Sequence, residues 1–358
     1  NWLWVVQLVL IDGKMRGLFT ILVGAGLVLF MDKAWQKGQT RWLQARRLLF
    51  LLLFGLIHFY FIWRGDILVL YAAAGFVGMF CLRWSANNQL VAGLLGYVAG
   101  ALVFAAVMGF PYFVADTSLG EQNTMADVRK DMDVAKAEVI ADDTLEQQVH
   151  AEGTYSGYLH HVFEKHATDP LGSLIMFIFE TLPLMLVGMG LYRYGLFNGG
   201  FDPGKQRKWG WIGIIAGTAL TIPIALWALN TGLTYWGTIA AFMGFSPLPR
   251  LVVILGLAAV LALWGETATG WLGQRFIAAG RMAFSNYLGT SILMMFIFHG
   301  WAGGLWGKLT RPELYLIVLA TWIVMLLWSK AWLDRFRYGP LEWLWRCLTY
   351  GKMFPLKR

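Results

Sequence analysis

Residues 328–351 read WSKAWLDRFRYGPLEWLWRCLTYG, and the reading of this stretch decides the fold. It directly follows an apolar run, yet Lys330, Asp334, Arg335, Arg337, Glu342 and Arg346 alternate there with tryptophans and tyrosines. A helix buried in lipid does not carry that charge, and a disordered tail does not carry those aromatics. The mixture predicts an interfacial helix at one membrane surface, where indole and phenol rings sit at headgroup level and guanidinium groups meet phosphates.

The rest of the chain agrees. Of 358 residues, 58% are hydrophobic and 14% charged, and the mean hydropathy is +0.56, which excludes a soluble domain. Apolar runs at about 17–31, 47–63, 67–82, 90–109, 171–192, 210–229, 248–264, 282–299 and 314–329 approach the ~20 residues a bilayer requires. The expected fold is all-α: a polytopic integral membrane bundle of about nine transmembrane helices, closed by the C-terminal interfacial helix. It divides into an N-terminal membrane part (1–110), a soluble segment (111–170) and a C-terminal membrane part (171–358). Residues 1–16 lack an initiator Met and a signal peptide and read as the end of something longer, so at least one upstream helix is expected.

Alternate connections between the runs differ in charge. Lys33, Lys37, Arg41, Arg46 and Arg47, then Arg83, Arg193, Lys205, Arg207 and Lys208, Arg275 and Arg281, and every base after residue 329 share one side, leaving only ten of the 29 bases opposite. Basic residues near span ends stay in the cytoplasm. A bacterial inner membrane location with a cytoplasmic C-terminus is therefore expected. Both cysteines, Cys81 and Cys347, then lie on the reducing side, and no disulfide is expected.

The segment 111–170 carries twelve acids against four bases and is expected to face outward. Met125, Val128, Met132, Ala135 and Val139 recur at helical spacing, and Ser118 with Glu121 has the form of a capping box. A solvated cap, or a lid over an outward-opening cavity, fits this pattern. His150, His160, His161 and His166 fall in the same segment, but with no cysteine and no evident supporting partner a metal is not expected.

Polar residues within the spans are costly in hydrocarbon and so are candidate functional groups. In RRLLFLLLFGLIHFYFIWRGDILVLYAAAG (46–75) a helix opens at Arg46 and Arg47, carries His58 toward its far end and reverses at Arg64-Gly65-Asp66. Gly65 suits a tight reversal, and Asp66 is expected to cap the next helix while paired with Arg64. His58, among apolar neighbours, is either a general base kept neutral by desolvation or a histidine bonded to a packed backbone. Glu180 lies near mid-span and should be protonated or paired with a cation. In GRMAFSNYLGTSILMMFIFHG (280–300), Arg281 is an anion ligand or an interfacial anchor, Ser285, Asn286, Tyr287 and Ser291 enter the span, and His299 leaves it. Gly24 and Gly26 are expected to serve close helix packing, and Gly93, Gly96 and Gly100 form a small-residue stripe suited to internal packing or to a homodimer seam.

The segments KMRGLFTILVGAGL, RRLLFLLLFGLIH, RGDILVLYAAAG, LVGMGLYRYGLF, GRMAFSNYL and FRYGPLEWLWRCLTYGK resemble, in order, signatures of the YeiB family, whose C-terminal part is domain of unknown function 418. The resemblance covers nearly the whole chain, and GPLEWLWRCLTYG is its most specific part. The family usually opens with a helix carrying an LDxLRG-like pattern, and this chain begins after it. The resemblance implies kinship with transmembrane acyltransferases, and points to His58, Gly65, Asp66, Tyr71, Arg281, Asn286, Gly339, Glu342 and Arg346 as motif residues.

An acyltransferase reading follows. Arg46, Arg47, Arg281, Arg337 and Arg346 would meet the phosphates of a cytoplasmic acyl-CoA, since guanidinium binds phosphate bidentately. His58 or His299, with Asp66, would deprotonate an acceptor hydroxyl or amine at or across the membrane. The alternative is a non-catalytic accessory or scaffold subunit, whose 19 tryptophans contact lipids and other membrane proteins. Sparse intramembrane charge and the lack of an internal repeat disfavour a transporter, and no nucleic-acid partner is expected.

Overall fold

The computed structural model describes residues 1–122 and 124–358. Among them the regular secondary structure is helical, apart from an isolated bridge between Phe336 and Lys357. The helices are α1 (Trp2–Leu10), α2 (Lys14–Trp35), α3 (Arg41–Phe61), α4 (Leu68–Gly78), α5 (Ala86–Ala115), α6 (Ala126–Glu152), α7 (Tyr155–Lys165), α8 (Asp169–Tyr194), α9 (Pro203–Asn230), α10 (Tyr235–Ile239), α11 (Pro247–Thr267), α12 (Trp271–Arg281), α13 (Ala283–Phe298), α14 (Arg311–Arg335) and α15 (Pro340–Tyr350). Helices satisfy every backbone group internally, which hydrocarbon demands. Their ends carry the expected signals: Ser85 caps α5 through Asn88 N–H at 3.1 Å, Asp202 caps α9 through Lys205 N–H at 2.8 Å, and Thr310 with Glu313 forms a capping box on α14.

Each apolar run coincides with a helix, but among the described residues six helical stretches are individually long and apolar enough to cross a membrane. They are Trp2–Trp35, Arg41–Phe61, Ala86–Ala115, Pro203–Asn230, Pro247–Thr267 and Arg311–Arg335, with the broken pair Asp169–Ile175 and Ile178–Tyr194 as a seventh candidate. The runs at 67–82 and 282–299 form the shorter apolar helices Leu68–Cys81 and Ala283–Phe298. The predicted capping box at Ser118 is not formed. Thr117 caps a single 3-10 turn (Ser118–Glu121) instead, and α6 begins at Ala126.

By its contacts the chain divides into two compact units that interleave along the sequence. The first comprises Asn1–Lys33, Val77–Ala141 and Met176–Trp264, the second Ala34–Phe76, Asp142–Ile175 and Gly265–Arg358. In the first, glycines bring backbones together. A Cβ on Gly24 would lie 2.1 Å from the Met185 carbonyl oxygen, on Gly188 2.0 Å from that of Ile21, and on Gly93 2.7 Å from that of Pro183. Gly96 faces the Pro183 ring and Gly100 the Phe179 carbonyl. The stripe therefore serves packing of α5 on α8 within the unit. Gly26 has open space around it and takes no part in that packing.

In the second unit, all four indoles of residues 328–351 direct their N–H groups inward, from Trp328 to Asn286, Trp332 to the Tyr338 carbonyl, Trp343 to that of Phe354 and Trp345 to that of Arg47. The stretch that reads as a membrane-surface belt also clasps its own unit. α15 ends at Gly351, whose left-handed φ of 66° favours glycine.

Candidate functional site

The second unit builds a buried dyad at the turn between α3 and α4. α3 carries His58 to a position with no solvent exposure, and the chain then reverses through Arg64, Gly65 and Asp66. Asp66 is fixed from two sides: Oδ2 accepts the Val69 N–H at 2.8 Å, capping the first turn of α4, and Oδ1 lies 2.8 Å from His58 Nδ1. A carboxylate only accepts, so Nδ1 carries a proton. His58 Nε2 is buried without a hydrogen-bond partner. The Tyr287 ring lies 5.0 Å from the imidazole, and its hydroxyl accepts the Ile67 N–H at 3.2 Å.

Asp66 does cap the next helix, but its side-chain partner is His58. Arg64 instead pairs with Glu146, and with Asp169 at 3.3 Å. Gly65 is not left-handed; its lack of a side chain matters because a Cβ there would lie 2.3 Å from the Trp63 indole. Tyr71 is buried at the start of α4.

Arg64, Glu146, His150, Tyr158, Trp63 and Trp306 line a cavity of about 310 Å³. A hydrogen bond from His150 at 3.2 Å, with the Arg64 guanidinium, holds the Glu146 carboxyl down at about 2. Trp63 and Trp306 also line a second cavity of about 290 Å³, with Ser291, Met294 and His299. His299 is buried, lies edge-on to the His150 ring at 4.5 Å and leaves Nδ1 without a partner. The two predicted bases thus occupy different settings: His58 belongs to an oriented dyad, whereas His299 has an aromatic cage and, among the described residues, no orienting carboxylate.

Of the four clustered histidines, His160 is exposed and reaches Glu164 at 3.4 Å. His161 and His166 are buried, with their Nε2 atoms 3.2 Å apart. Asp142 Oδ2 lies 3.9 Å from His166 Nε2, and His166 Nδ1 faces Asp169 at 3.0 Å. Burial, and then the neighbouring His166, push the His161 imidazole down.

The predicted arginines gather around α15 at the other end of α3, about 17 Å from His58 at 1.5 Å per residue. The Arg47 guanidinium lies over the Trp345 ring at 4.5 Å, Arg346 over Phe354 at 4.7 Å, and Arg281 donates to the Arg337 carbonyl at 3.3 Å. Arg46 approaches Gly351, while the Arg337 side chain is exposed. Glu342 has no ion pair with an arginine among the described residues. It accepts from Ser285 N–H at 3.0 Å and Ser285 Oγ at 2.5 Å, which locks α15 to α13. Gly339 belongs to that lock, since a Cβ there would lie 2.1 Å from a Glu342 oxygen. Asn286 bonds Ala279, Ser329 and Trp328, tying α13 to α12 and α14.

In the first unit Glu180 takes the paired form of the two expected: Arg16 reaches it at 2.5 Å and Arg250 at 3.8 Å. A π-helical turn at Ala240–Phe245 leaves the Phe242 carbonyl to accept Arg250 Nη2 at 2.6 Å. Sequence reasoning missed Arg16 and Arg250, which stand at the edges of apolar runs and read there as loop charges. It also missed the partnership of Arg64, Glu146 and His150, whose members are remote in sequence.

Residues 191–352 match the family described as "Protein of unknown function (DUF418)". The chain is 30% identical over 360 residues, 95% of its own length and 80% of the relative's, to the uncharacterized protein YxaH of Bacillus subtilis (strain 168). It is 27% identical over 365 residues, 97% of its length and 84% of the relative's, to the uncharacterized protein YeiB of Escherichia coli (strain K12). No solved structure matches.

Proposed function

This chain belongs to the YeiB family of membrane proteins, and we propose that it transfers an acyl group from acyl-CoA to an acceptor at or across the bacterial inner membrane. In this reading the two short apolar helices and the broken pair also cross, giving nine spans, with the C-terminus in the cytoplasm. The observation that carries the proposal is the His58–Asp66 dyad, a buried base held in one tautomer with its free nitrogen unclaimed. A structural histidine gains nothing from an unsatisfied buried nitrogen, whereas a general base requires one.

His58 Nε2 takes the proton of an acceptor hydroxyl or amine as that atom attacks the thioester carbonyl. The carbon–sulfur bond breaks, the acyl group moves to the acceptor, and the proton passes from the imidazolium to the departing CoA thiolate. Asp66 holds the ring and stabilises its charged form. Arg46, Arg47, Arg281 and Arg346 bind the CoA phosphates, and the pantetheine arm runs beside α3. The acceptor enters through the cavities that share Trp63, whose ring stands edge-on to the His58 imidazole at 6.2 Å.

The test is release of CoA thiol from acyl-CoA by the protein reconstituted in vesicles of its own membrane lipids. His58→Ala should abolish release with helical content unchanged. Turnover equal to wild type would overturn the assignment.

A further inference from the structure

We propose that Asp142, His161 and His166 form a binding site for one divalent cation of the Zn²⁺ class. This does not rest on the acyl-transfer reading. A tetrahedral ion with ligand nitrogens at 2.0–2.1 Å sets those nitrogens about 3.3 Å apart. The Nε2 atoms of His161 and His166 are 3.2 Å apart and face one another. The ligand atoms of all three residues lie within 4.8 Å of each other, so a small swing of the half-exposed Asp142 carboxylate completes a three-ligand face. Water takes the fourth position.

The support behind His166 is already in place. Its Nδ1 faces the Asp169 carboxylate at 3.0 Å, so the proton sits on Nδ1 and the Nε2 lone pair points at the site. A carboxylate behind a ligating imidazole fixes the ring and strengthens its donor nitrogen. Asp169 is held in turn by Arg64 at 3.3 Å. Two imidazole nitrogens with one carboxylate suit Zn²⁺ rather than Ca²⁺ or Mg²⁺, which take oxygen ligands. The ligands come from α6, from α7 and from the turn into α8, so a bound ion would tie together the segment that walls the Arg64–Glu146 cavity.

The competing arrangement is a plain N–H···N hydrogen bond between the two rings, and metal titration separates them. The full chain in detergent, stripped by chelator, is titrated with Co²⁺ and then Zn²⁺. One Co²⁺ should bind per chain with the visible absorption of a tetrahedral ion, displaced by one Zn²⁺. His161→Ala and His166→Ala should each abolish that spectrum, Asp169→Asn should weaken binding about 10–100-fold, and His160→Ala should leave it unchanged. Absence of stoichiometric Co²⁺ uptake by the wild-type chain would overturn the site, whatever the variants do. So would a wild-type spectrum in His161→Ala or His166→Ala.

Discussion

Replacing Asp66 by Asn and by Ala separates its two duties. The carboxylate holds the Val69 N–H and His58 Nδ1, both at 2.8 Å, with a side chain only 1% exposed. In Asp66→Asn the amide oxygen keeps the Val69 N–H, and asparagine caps as well as aspartate, so the fold should lose little. The amide NH₂ then faces His58 Nδ1, a donor opposite a donor. The imidazole must move its proton to Nε2, which removes the base. Loss of the correct tautomer in a triad of this type costs about 10⁴ in kcat, and general base catalysis as a whole about 10²–10⁴. CoA release should therefore fall by at least about 10² while thermal unfolding stays close to wild type. In Asp66→Ala the cap is lost at about 1 kcal/mol, and the His58 N–H is left unsatisfied at about 1–3 kcal/mol, so unfolding should shift by about 2–4 kcal/mol. Both variants are followed by tryptophan-fluorescence melting in detergent and by thiol release. Wild-type turnover in Asp66→Asn would refute the role of the dyad, and an unshifted melt in Asp66→Ala would refute its geometry.

Gly188→Ala sets a Cβ against the Ile21 carbonyl at 2.0 Å and should cost about 1–3 kcal/mol through overpacking, whereas Gly26→Ala, in open space, should melt within about 0.5 kcal/mol of wild type; equal melts for the two would contradict the close approach of α2 and α8. Glu180→Ala strands Arg250, 3% exposed, and should destabilise by about 3–5 kcal/mol, a loss that chemical denaturation would register. The Glu146 carboxyl titrates at about 2 rather than 4.5. Because its folded value is depressed, its contribution is complete above about pH 4.5 and disappears as pH falls toward about 2. Glu146→Gln should flatten the melting temperature against pH over that window, and an unchanged slope would remove Glu146 from the acid response.

Membrane residence and helical class were legible because hydrocarbon permits few alternatives: long apolar runs of 358 residues with 14% charge must satisfy their backbone as helices. Ordered segments from LFTILVGAGL to GPLEWLWRCLTYG made the family visible in the same way. Local chemistry also came through, since an aspartate at a chain reversal just before an apolar helix can accept that helix's first free N–H groups, and Asp66 does so. What the chain order could not convey was choice of partner. Arg64 stands two residues from Asp66 yet pairs with Glu146, Glu342 answers to Ser285 across 57 positions, and Glu180 to Arg16 across 164. Such choices depend on which buried charges meet when helices pack, because a desolvated ion takes the nearest oriented partner in space rather than in sequence. The four tryptophans of residues 328–351 show the same division. Their composition announced a membrane surface, and only tertiary packing showed each indole N–H spent on its own unit.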